Sequence, residues 1–85
     1  MKIETSIREL SKGTVGIVVG YDRTYGGYIG RLLVKGLTPG TAFIALDASH
    51  PSGYSEIILP NKIIKLSKPE VDALCVEPVT YEERQ

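Results

Sequence analysis

Short apolar runs, broken at close intervals by glycine and proline, constrain this chain more than any other feature. Nine glycines and five prolines are distributed through 85 residues. Several short strands at close spacing with turn chemistry between them indicate a barrel or sandwich rather than a βαβ fold, and the chain is too short for a sandwich. Thr14 to Tyr21 is the first strong strand, with Val15, Ile17 and Val19 on one face and Gly16, Val18 and Gly20 on the other. Lys2 to Ile7 alternates as a short edge strand would, with Ile3, Thr5 and Ile7 aligned. Tyr28 to Lys35, Thr41 to Asp47, Tyr54 to Leu59 and Ile63 to Leu66 supply the remaining strands. The expectation is an all-β domain.

The turns carry their own chemistry. In Gly36-Leu37-Thr38-Pro39-Gly40 proline precedes glycine, as a type II turn requires because its second central residue takes positive φ, and a hairpin is expected to follow. Pro60 lacks the N–H a ladder needs, so it ends its strand and opens a tight turn through Asn61 and Lys62. Ser67-Lys68-Pro69-Glu70 matches a capping box, which predicts a short helix presenting Val71, Leu74 and Cys75 on one side and broken by Pro78. The domain is expected to occupy residues 1–76, with a polar tail over 77–85.

At this length a single thin core is available, burying about 60–65% of the surface that the unfolded chain exposes. The one cysteine, Cys75, provides neither an internal disulfide nor a multi-thiolate zinc site. No apolar run reaches the roughly 18 residues of a membrane span. Met1-Lys2-Ile3-Glu4 lacks the order of a signal peptide, so the expected location is cytoplasmic and no membrane partner is expected. Through Leu66 eight basic residues face five acidic ones, and the remainder reverses the balance to leave a net charge of zero. Basic residues so few and so scattered do not suit a nucleic-acid partner.

Catalytic constellations are absent from the pattern. His50, the single histidine, precedes Pro51 in a turn with no nucleophile motif to serve. Gly26-Gly27-Tyr28-Ile29-Gly30 lacks the lysine and hydroxyl residue of a phosphate loop. Acidic residues stand singly, which offers neither a carboxylate pair nor a metal cluster. The expectation is a non-enzymatic protein without a cofactor or a metal. Tyr21, Asp22, Arg23, Tyr25 and Tyr28 form one candidate surface for a protein or small-molecule ligand, and His50, Tyr54 and Glu56 form a second. Tyrosine offers a large contact area at low entropic cost, although the same rings equally serve to cover a thin core.

The apolar residues exceed what one small barrel hides. Ile17-Val18-Val19, Leu32-Leu33-Val34, Ile57-Ile58-Leu59 and Ile63-Ile64 are apolar on both strand faces. A homo-oligomer is therefore expected, with Val18, Leu33 and Ile58 facing outward at its interface.

Two resemblances refine these expectations. Ile58-Leu59-Pro60-Asn61-Lys62-Ile63-Ile64 resembles the strand, single helical turn and final strand that close Src-homology-3-like (SH3-like) barrels. That resemblance implies a barrel of about five strands with a short C-terminal helix. The signalling members of that family grip proline-rich peptides with a tryptophan, which this chain lacks. Leu37-Thr38-Pro39, His50-Pro51, Gly53 and Ile58-Leu59-Pro60 are similar in order to the small plasmid-borne dihydrofolate reductases, tetrameric barrels around a central pore. Ile57 and Leu59 stand where those enzymes carry a pore glutamine and tyrosine. The functions expected are a self-associating binding module, such as a phage or plasmid accessory or inhibitor protein, a pore-type oxidoreductase, or a structural subunit of a larger assembly.

Overall fold

The computed structural model describes residues 6–47 and 53–79. Five strands, β1 (Val15–Tyr21), β2 (Ala42–Asp47), β3 (Ser55–Leu59), β4 (Lys62–Leu66) and β5 (Leu74–Pro78), form one sheet in the order β4-β3-β2-β1-β5. Every pairing is antiparallel. Two helices, α1 (Ile29–Val34) and α2 (Lys68–Ala73), cover it together with 3-10 segments at Ile7–Glu9 and Arg23–Tyr28. The expected all-β, SH3-like architecture with a short helix is present.

Four strands lie where alternation and turn chemistry place them. Register shifts interrupt the ladders between Val18 and Gly20 in β1 and between Ala45 and Asp47 in β2. Such bulges increase the local twist and bend a flat sheet toward a barrel. Ile7, Val18, Leu32, Leu37, Ile57, Leu66, Val71 and Val76 are completely buried in its interior. Phe43 lies among them, its ring against the bare backbone of Gly16, its partner in the β1–β2 ladder.

The segment Tyr28 to Lys35, expected as a strand, is instead helical. Gly36, at φ +91°, lets the chain reverse, and the N–H groups of Gly36 and Leu37 donate to the carbonyls of Leu33 and Leu32 at 3.0 and 2.9 Å. These two bonds form a Schellman closure, which satisfies carbonyls that a helix end leaves orphaned. The Pro39-Gly40 turn has the expected geometry: Gly40 sits at φ +95°, and the Thr41 N–H donates to the Thr38 carbonyl at 3.0 Å. It joins α1 to β2 rather than two strands of a hairpin.

Three further corrections concern the ends and the parity of strands. Ile7 is buried within a 3-10 turn, whose N-cap Ser6 accepts from the Arg8 N–H at 3.3 Å, rather than lying on an edge strand. The remainder of that expected strand lies outside the described residues. The capping box is formed, but α2 ends at Ala73, and Leu74 and Cys75 belong to β5 together with Pro78. The strand thus runs two residues past position 76. Pro60 and Asn61 form a β-turn between β3 and β4, and the sheet is completed by β5 rather than by the strand after that turn.

Candidate functional site

The polar loop after β1 folds into a compact ledge because its first residue acts as a cap. Asp22 accepts from the Thr24 N–H at 2.9 Å and starts the 3-10 helix Arg23–Tyr28, which runs directly into α1. One side of this ledge closes the core. Tyr21, Tyr25 and Tyr28 pack against the buried cluster. Tyr21 additionally donates its hydroxyl to the Leu37 carbonyl at 2.7 Å, and burial raises its pKa. These three expected binding residues act in this chain as covers for a thin core.

The Tyr21 bond makes a direct prediction. Tyr21→Phe leaves the Leu37 carbonyl without that donor beside a fully buried side chain, and is expected to cost about 1–2 kcal/mol. A urea midpoint unchanged from wild type would show that the hydroxyl contributes nothing.

The outer side of the ledge has a different character. Leu32 points into the core, while Leu33 and Val34 project outward at 47% and 85% exposure. Exposed large apolar side chains next to one another are more informative than scattered ones. Arg31 stacks over the Tyr28 ring, its guanidinium carbon 5.2 Å from the centroid, so the aromatic face orients a surface cation. Gly30, Arg31, Val34, Lys35 and Glu70 line a shallow depression of about 590 Å³.

A half-buried ion pair holds the base of this depression. Lys35 Nζ donates to both carboxylate oxygens of Glu70 at 3.0 and 2.9 Å, and to the Lys65 carbonyl at 3.1 Å. Glu70, only 3% exposed, also accepts from the backbone N–H and the hydroxyl of Ser67 at 2.8 and 3.0 Å. Burial by itself would push the Glu70 carboxyl up, but the Ser67 N–H, the Lys35 ammonium and the Ser67 hydroxyl outweigh it and hold the carboxyl below its ordinary range. The pair ties α1, α2 and β4 together, and Arg31 is left as the exposed cation at the depression.

The other expected site residues are placed elsewhere. Glu56 lies opposite Lys65 on the β3–β4 hairpin, and Tyr54 just precedes that hairpin, about half exposed. His50 lies outside the described residues, and Arg23 is exposed in the 3-10 helix. Val18, expected at an outward interface, is fully buried because β1 turns Gly16 and Val18 inward. Leu33 is exposed and Ile58 half-buried. Ile57 and Leu59, which the reductase resemblance places at pore positions, are buried in this chain's own core. Among the described residues no group of three or more His, Cys, Asp and Glu is placed to hold a metal ion. No helix among them is long and apolar enough to cross a membrane.

Comparison with solved structures places this architecture. The crystal structure of the iron uptake regulatory protein FeoA superposes with a TM-score of 0.74 and 26% identity over 92% of this chain and 100% of that one. The fold is FeoA-like. An FeoA-like protein from Clostridium acetobutylicum matches over 100% of this chain and 98% of its own, with a TM-score of 0.78 at 15% identity. A manganese-dependent transcriptional repressor shares the FeoA-like fold at 12% identity and a TM-score of 0.80, but this chain spans only 38% of it. These neighbours show no relation to the plasmid reductases. No protein-family model matches the sequence. No curated protein matches it.

Proposed function

We propose that this protein is a small, non-enzymatic regulatory accessory of iron uptake that acts by docking on a partner protein through the outer side of the α1 ledge. The observation that carries this reading is the end-to-end likeness to FeoA, which this chain covers over its whole length. A transcriptional repressor contributes only a fold of the same kind, because most of that chain has no counterpart here.

The ledge supplies the means. Leu33 and Val34 offer apolar contact, Gly30 leaves open space beside them, and Arg31 supplies an oriented cation. A partner with an aliphatic or aromatic anchor next to a carboxylate suits that combination, since interfaces pair desolvated apolar anchors with oriented Arg contacts. Regulation by contact requires no bound iron on this chain.

The test is genetic and has a structural control. Disrupting the gene in its source organism is expected to lower radio-iron accumulation several-fold under iron limitation. Wild type should restore it, and a Val34→Asp/Arg31→Glu variant with an unchanged circular dichroism spectrum should not. Accumulation unaffected by the disruption would remove the iron-uptake reading, and full rescue by the double variant would remove the ledge from it.

A further inference from the structure

The outward face of the β3–β4 hairpin is complementary to itself. Ser55, Ile57 and Leu59 are buried, so Glu56 and Ile58 take the opposite, outer side of β3. In the ladder Ile58 stands opposite Ile63 and Glu56 opposite Lys65. Ile63 is 62% exposed at the edge of the sheet. The apolar surface continues inward, because Ile44 is the neighbour of Ile58 and Val15 the neighbour of Ile44. Four aliphatic residues thus form one row across four adjacent strands, beside a depression of about 360 Å³ lined by Val15, Ala42, Ile44, Ile58 and Pro60.

We propose that this face docks against the same face of a second copy of this chain. A two-fold axis lying in the interface parallel to the strands exchanges β3 with β4. Ile58 of each copy then lies over Ile63 of the other, and Glu56 lies against Lys65 of the other. An isologous contact demands a patch complementary to its own rotated image, and an opposed isoleucine pair next to an opposed Glu–Lys pair meets that demand.

Face-to-face contact is favoured over strand addition at the same edge. Lys35 Nζ already occupies the Lys65 carbonyl, which masks part of the β4 edge, and Lys62 and Lys65 place charge along it. The patch is small: the axis stacks only β3 and β4 on their counterparts, with Ile44 at the rim, and two strands spaced about 4.8 Å apart with a few residues along each give on the order of 100–150 Å² per copy. A standard stable interface needs about 800 Å² per partner, so the association is weak. The outer side of α1 is not used, and the inference stands independently of the proposed role in iron uptake.

Sedimentation equilibrium of the full chain from about 10 μM to 1 mM tests the arrangement through charge exchange. The weight-average mass of wild type is expected to rise from 9.3 kDa toward twice that value. Glu56→Lys and Lys65→Glu, each checked by circular dichroism for an intact fold, should remain at the monomer mass alone, because each sets like charges against each other across the axis. An equimolar mixture of the two variants should regain the wild-type rise, since one chain then presents two cations to the two carboxylates of the other. A role confined to one chain would not produce that recovery. A wild-type mass that stays at one chain throughout would overturn the proposal, as would a mixture that remains monomeric.

Discussion

Gly16→Ala is expected to be among the most damaging single-methyl additions available to this chain, lowering stability by about 2–3 kcal/mol. A Cβ at Gly16 would lie 2.6 Å from Cζ and 3.0 Å from Cε1 of Phe43, and 3.1 Å from Cδ1 of Leu10. The ring has little room to withdraw, because Phe43 is 2% exposed and sits in the central cluster. Packing at interior density turns one extra methyl into either a ring displacement or a strand displacement. In a domain of this size the loss corresponds to roughly 8–20 °C in melting temperature. Gly16→Ala combined with Phe43→Leu should be less unstable than the sum of the single changes, which is the coupling a double-mutant cycle measures. A Gly16→Ala variant that melts with wild type would show that the ring moves freely.

The second large effect is expected at Glu70. Glu70→Ala removes the acceptor of the Lys35 ammonium, the Ser67 N–H and the Ser67 hydroxyl together. Loss of a helix cap alone costs about 1 kcal/mol. Breaking a fully buried ion pair costs 3–5 kcal/mol, but the Lys35 side chain retains 32% exposure and can turn toward water, so a total of about 2–3 kcal/mol is expected. The sign of the pH dependence follows from the direction of the shift. A carboxyl held below its ordinary 4.5 contributes stability that is fully present above that value and is lost as pH falls through the folded-state pKa. The wild-type melting temperature should therefore carry an acid limb beginning near the ordinary Glu pKa of about 4.5 and steepening below it, with a smaller limb in Glu70→Gln. Superimposable limbs for the two proteins would rule out Glu70 as its source.

Residues whose physical signal is local are those whose structure was legible in the sequence. The capping box needs only Ser67 and Glu70, three positions apart, and it forms. Alternation in β1 to β4 and the Pro39-Gly40 turn are likewise short-range, and each is found where expected. Helix α1 escaped because Leu32, Leu33 and Val34 read as a strand apolar on both faces, whereas a helix buries Leu32 and exposes the other two. Gly36 followed by Leu37 was the available clue, since a glycine in left-handed backbone followed by an apolar residue is how a helix closes. β5 escaped for a related reason: Val71 to Val76 continues the apolar run begun by a correctly capped helix, and only the pairing with β1 distinguishes strand from helix there. Self-burial absorbs part of the surplus hydrophobicity, as Val18 and Ile57 show. Ile44, Ile58 and Ile63 remain on the outer side of the sheet as the part of that surplus the barrel does not hide.

Of the candidate site, the tyrosines were visible but their orientation was not. Whether a ring covers a core or meets a partner depends on where α1 runs, and that is set by the Gly36 closure rather than by the tyrosines themselves. The Lys35–Glu70 pair left no trace in the sequence, because its members come from different helices and meet only after both have docked.

The strand order has a consequence for biosynthesis. Val18 on the first strand pairs with Val76 on the last. At translation rates of about 5–20 residues per second, their separation of 58 positions keeps one side of β1 without its ladder partner for roughly 3–12 s after β1 is made. During that interval the nascent chain displays an unpaired, valine-rich edge of the kind that recruits neighbouring chains. Yield in the cell is therefore expected to depend on how well that edge is shielded until β5 is made, separately from the stability of the finished domain.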